Sequence, residues 1–164
     1  MKTAAFLLAT TLAAGAAWAQ LSSPIPAGSG PGVHSPNSPF APLPQRTDVI
    51  PWSVLTAVST KTEKNRLLPV FNKDQLALSN KPQRIQGFMM PLEPGEAQTH
   101  FLLSSVPLSC GFCVPGGPES MVEVKTKTPV KYTLDPVVVE GKFATLTNDE
   151  YGLYYRVTEA VAVK

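Results

Sequence analysis

Cysteine is scarce in this chain: only Cys110 and Cys113 occur among 164 residues. That excludes a disulfide-rich scaffold and a four-cysteine zinc module. Histidine is equally scarce, with His34 and His100 alone. The helical H-E-x-x-H zinc motif is absent, and so are a G-x-S-x-G nucleophile elbow and a phosphate-cradling glycine loop. Charge of one sign is also lacking. Fourteen Lys and Arg oppose twelve Asp and Glu, a net charge of +2. This balance gives no electrostatic reason to expect nucleic acid or an acidic membrane surface as partner. No internal repeat stands out. Beyond the N-terminus, no run is apolar enough to span a membrane.

The one long apolar run is Ala4 to Ala17, behind the single positive charge of Lys2. It is the length of a signal-peptide core and short for a transmembrane helix. Ala17-Trp18-Ala19 supplies the small-x-small pattern of a cleavage site, so residues 1–19 are expected to leave as a signal peptide. No cysteine lies there to carry a lipid anchor. A soluble, periplasmic or secreted product follows, of 145 residues with net charge +1 once Lys2 is lost.

Residues 20–46 are rich in Pro, Ser, Gly and Ala, without apolar periodicity. Such a composition is expected to form a disordered arm, with His34 solvated in it. A folded domain is expected over residues 47–164. It begins with short helical segments: one with Asp48 as cap, Pro51 in the first turn and Trp52, Leu55 and Val58 on one face, and another over residues 73–78. A charged connection spans 61–66. Strands are expected over 84–92, 99–105, 121–126, 136–146 and 154–163, with Gly87 and Gly141 as bends. Five short strands suit closure, which removes exposed edges. The expected fold is therefore mainly β, a small five-stranded OB-like barrel; an open β-sandwich is second.

Chemistry concentrates in Ser109-Cys110-Gly111-Phe112-Cys113, on the loop between the second and third strands. C-x-x-C spacing permits three states. A structural disulfide is one, although so short a loop gains only about 2 kcal/mol from closure. A thiol–disulfide redox pair is another, but Pro115-Gly116-Gly117-Pro118 disfavours the helix that would stabilise a thiolate. The third is a metal site for zinc or copper, with Cys110 and Cys113 as thiolates and His100 as a nitrogen donor. Met89, Met90 and Met121 are soft donors suited to Cu⁺, although ordinary core packing explains each of them better. Asp135, Asp149, Glu150 and Glu159 read as solvated carboxylates.

Gln86-Gly87-Phe88-Met89-Met90-Pro91-Leu92, His100-Phe101-Leu102-Leu103, Cys110-Gly111-Phe112-Cys113 and Pro118 to Val124 together resemble a bacterial exported family known as domain of unknown function 3299. Val137 to Gly141 and Gly152 to Val157 resemble it too, so the likeness spans about residues 50–163. The resemblance implies a small exported protein or lipoprotein. It also implies, for some members, company with transporters linked to metal supply, but no agreed activity. The lipoprotein form does not apply here, for want of the anchoring cysteine.

The sequence thus supports a non-enzymatic periplasmic binding or accessory protein. Candidate partners are zinc, copper or an envelope transport component. A redox protein or an interaction module braced by its disulfide are the alternatives. Mass spectrometry of the exported protein is expected to find Gln20 at the N-terminus; a retained Met1 contradicts the cleavage.

Overall fold

The computed structural model describes residues 30–163; the expected signal peptide and the first part of the arm lie outside them. Two short helices and a hairpin precede the barrel: α1 (Trp52–Thr56), β1 (Ser59–Glu63), β2 (Arg66–Val70) and α2 (Lys73–Leu78). The barrel strands are β3 (Lys81–Pro91), β4 (Ala97–Ser104), β5 (Met121–Lys131), β6 (Val137–Thr145) and β7 (Tyr155–Val163).

The five strands close in the order β3-β4-β5-β7-β6, with β6 returning to β3. Every neighbouring pair is antiparallel except β5 and β7, which run parallel. One parallel pair in an otherwise antiparallel five-stranded closure is an OB-like barrel, as expected. Alternation supplies its interior: Ile85, Phe101, Leu103, Val122, Val124, Val139, Phe143 and Val157 are fully buried. Closure needs strands that pass close to neighbours. A Cβ on Gly141 would sit 2.6 Å from the Thr158 carbonyl oxygen, where the β6–β7 register shifts. Gly87 lies against Trp52, whose Nε1 donates to the Gln86 carbonyl at 2.9 Å.

Asn72 caps α2 through a capping box with Gln75. Gln75 is fully buried, and its Nε2 reaches the Val54 carbonyl at 2.9 Å and the Tyr155 hydroxyl at 3.2 Å. Tyr155 in turn donates to the Leu55 carbonyl at 2.7 Å. This buried network ties both helices to the barrel core. Burial pushes the Tyr155 phenol well above its ordinary range, so it remains a donor.

Three local expectations change. Asp48 does not cap α1, which starts behind Pro51 without a side-chain cap. It pairs instead with Arg46 and Arg84, both at hydrogen-bond distance. The stretch read as a charged connection is the β1–β2 hairpin, turning at Lys64 and Asn65 with φ of 48° and 60°. Both turn residues take the left-handed conformation, which usually announces itself through Asn-Gly or Asp-Gly. Residues 30–46 form no helix or strand, yet they are fastened down. Gly32 N–H donates to the Val114 carbonyl at 2.8 Å, and Ser105 Oγ donates to the Gly32 carbonyl at 2.9 Å. His34 is half-buried and bonds the Phe40 carbonyl at 3.0 Å.

Tyr155→Phe is expected to cost about 1–3 kcal/mol in urea unfolding, because it strips two buried partners of one hydroxyl. Tyr132→Phe, at an exposed ring, is expected to change stability negligibly.

Candidate functional site

The cysteine loop joins β4 to β5. Cys110 and Cys113 are bridged, with Cα atoms 5.3 Å apart, and neither is free. Both are buried beside Val106, and Phe40 from the arm packs on them. Phe112 and Val114 at the tip are exposed. A bridged pair offers a metal no thiolate. Burial also withholds its sulfurs from an attacking thiol.

His100 sits elsewhere. On β4 it shares the outward face with Leu102, while Phe101 and Leu103 point inward. Its Nε2 lies 2.7 Å from Glu123 Oε1 on β5. Among the described residues no three His, Cys, Asp or Glu side chains are placed to hold one metal ion. The structure therefore does not bring Cys110, Cys113 and His100 together, and the donors present do not fit the three-ligand centre considered from the sequence. Met89 is buried in the core. Met90 lines a small apolar recess with Leu108, Tyr132 and Leu134.

The partner of His100 opens the larger site. Glu123 is only 3 % exposed, yet it lies on the outer face between Val122 and Val124. Arg156 on β7 donates Nε to Glu123 Oε2, and Lys125 Nζ stands 3.5 Å from Oε1. Burial pushes the Glu123 carboxyl up, but hydrogen bonds from Arg156 and His100 and the nearby cations outweigh it and hold the pKa below the ordinary value. Arg156 also donates from Nη2 to Asp149 Oδ1 at 2.9 Å. Asp149 Oδ2 accepts the Tyr151 and Leu153 N–H groups at 3.0 and 3.3 Å. Burial raises the Asp149 carboxyl, and those two amides with Arg156 more than reverse it. Arg66 fastens the same loop from the hairpin, donating to Asn148 Oδ1 at 2.7 Å and to the Asp149 carbonyl.

Together these groups floor a groove of about 610 Å³. One rim is Leu92, from the β3–β4 loop; the other is Glu150, Tyr151 and Leu153, from the β6–β7 loop. In an OB barrel this face, with these two loops, is where ligands sit.

The profile of a protein family of unknown function, DUF3299, matches residues 44–158. The chain belongs to the DUF3299 family. A crystal structure of a DUF3299 family protein from Pseudomonas aeruginosa PAO1 is 27 % identical, covering 58 % of this chain and 68 % of that one at a TM-score of 0.45. No curated protein matches. The span matched to DUF3299 contains both the cysteine loop and every residue of the groove.

In the sequence Asp149 and Glu150 read as solvated carboxylates, and nothing local singles out Glu123, Tyr151 or Arg156. One signal for Glu123 exists once the barrel is assumed. In Val122-Glu123-Val124-Lys125 the valines face inward, so Glu123 and Lys125 share the outer face with His100.

The two depressed carboxyls make stability depend on pH. Their contribution is complete above the ordinary carboxylate range and is lost as pH falls through the lowered folded-state values. Arg156→Leu is expected to cost roughly 2–3 kcal/mol at neutral pH, because it strips a charge-assisted partner from a buried carboxylate. The cost is expected to shrink at about pH 4, because without Arg156 the buried Glu123 carboxyl is no longer held down and the variant can take up a proton in the ordinary carboxylate range. Urea unfolding at the two pH values checks this; an equal loss at both contradicts it.

Proposed function

We propose that this protein is a non-enzymatic binding module of the cell envelope or exterior, whose ligand occupies the groove over β4, β5 and β7. The observation that carries this reading is the ionic network under the groove. A barrel needs no buried carboxylate to fold, and replacing such a network by apolar side chains is often neutral or stabilising. Here Glu123, Arg156, His100 and Asp149 are arranged on one face, and two loops rise around them. Perturbed charged groups in a cleft are a recurring mark of functional sites. The mixed lining, apolar at the rims and polar at the floor, is that of a ligand pocket.

The cysteine bridge reads as a brace. It closes the loop on which the arm packs, and its buried sulfurs suit structure better than exchange. An oxidising compartment maintains such a bridge, which agrees with the expected export. Metal handling through these cysteines would first require their reduction.

Amide shift mapping against a mixed library of small polar ligands tests the proposal. Shifts are expected to cluster at Leu92, His100 to Leu102, Glu123 to Lys125 and Asp149 to Arg156. A Cys110→Ser, Cys113→Ser double variant that remains folded is expected to bind at the groove within about twofold of the parent, since the bridge lies outside it. Ligands that map only to the cysteine loop, or none that touch the groove, overturn the reading.

A further inference from the structure

We infer that the groove takes a neutral oligosaccharide, a step that rests on the groove being the binding site. The fold first removes one competing class. β4 is paired with both β3 and β5, and β5 with both β4 and β7. Over Phe101 to Ser104 and Glu123 to Thr126 the floor strands are paired on both sides, so an extended peptide finds no free edge there to join as a strand. Charge removes a second class. Glu123, Asp149 and Glu150 face two fixed cations, Lys125 and Arg156, with the imidazole of His100. Arg156 is already committed to Glu123 and Asp149, and Lys125 stands beside Glu123. No cationic surplus remains for a polyanion, so nucleic acids and sulfated or phosphorylated chains lose the term that dominates their binding.

What remains suits a sugar. Tyr151 is 78 % exposed on the rim and Leu92 is 45 % exposed on the facing loop. An open aromatic face offers a stacking surface for the C–H face of a pyranose, and the aliphatic side chain opposite extends it. The second ring nitrogen of His100, the Lys125 amino group and the Glu150 carboxylate supply donors and acceptors around one space. Sugar hydroxyls both donate and accept, and they meet such a set without needing net charge. A groove of about 610 Å³ accommodates about two or three sugar units within the usual range of ligand pockets. The Asp149 turn and the Arg66 clamp hold the Tyr151 loop in place before any ligand arrives, which lowers the ordering cost of binding.

The test is amide shift titration of the full mature chain with chitotriose, cellotriose and maltotriose, beside a neutral tripeptide and an oligothymidylate. At least one trisaccharide is expected to shift Lys125, Tyr151 and Leu153 saturably, with little dependence on added salt. Tyr151→Ala is expected to weaken that binding about fivefold to tenfold, and Tyr151→Phe to keep it within about twofold, because the ring face does the stacking. Tyr151 is exposed, so both variants should fold. If the tripeptide or the oligothymidylate shifts the groove amides and no trisaccharide does, the saccharide inference falls while the binding site stands. If no probe of any class shifts them, both fall.

Discussion

Glu123 and Arg156 face each other across the β5–β7 ladder, where they are register partners. That ladder is the barrel's parallel one, and it joins strands far apart in the chain. Parallel pairing is slightly weaker per residue than antiparallel pairing and cannot be made by a tight hairpin. The ion pair lies across this seam, and the other charged groups of the groove floor are arranged around it. His100 and Lys125 converge on the same carboxylate from β4 and β5. Arg156 carries the network onward to Asp149, and so to the loop that forms one wall of the groove. A buried carboxylate is costly alone; here it has three cationic or hydrogen-bonding neighbours, and the groove floor is the consequence.

The loop's order follows from the same chain of contacts. Asp149 is held by Arg156 through one carboxylate oxygen and folds its own turn through the other. Arg66 reaches the loop from the hairpin, outside the barrel. The hairpin therefore has a structural use beyond its own few hydrogen bonds: it fixes the loop that carries Tyr151. A two-stranded hairpin is marginal by itself, and Arg66 gives it an attachment to the barrel while it orders the rim.

Much of the fold was readable in the sequence. Alternation in Phe101-Leu102-Leu103 and Met121 to Lys125 gave strands with the correct faces, and Gly141 marked a true close approach. The Asn72–Gln75 box starts a helix over residues 73–78, where the pattern places one. The β1–β2 hairpin was not readable, because its turn uses Lys64 and Asn65 without glycine and its strands alternate weakly. The groove was hidden for a different reason. Glu123, Asp149 and Arg156 are unremarkable one by one, since a charged residue on the outer face of a strand usually meets water. Only the long-range register of β5 and β7, 33 residues apart at the ion pair, makes them a site. Conversely, the C-x-x-C motif drew attention because it is local. Its nearest neighbours are the bridge itself, Val106 and Phe40, and His100 is engaged by Glu123.

The two features divide the labour of the molecule. The bridge shortens the freedom of a loop that must receive Phe40 and the backbone of Gly32. Its sulfurs are buried among Val106, Phe40 and the Ser38 hydroxyl. The groove has the opposite character: polar at its base, open at its top, and supported by ionic contacts that a merely structural surface has no need to retain. Stability alone would favour an apolar floor at Glu123. On the proposed reading the satisfied charge network under the open cleft serves recognition, because side chains pinned in advance need not be ordered again when a ligand binds.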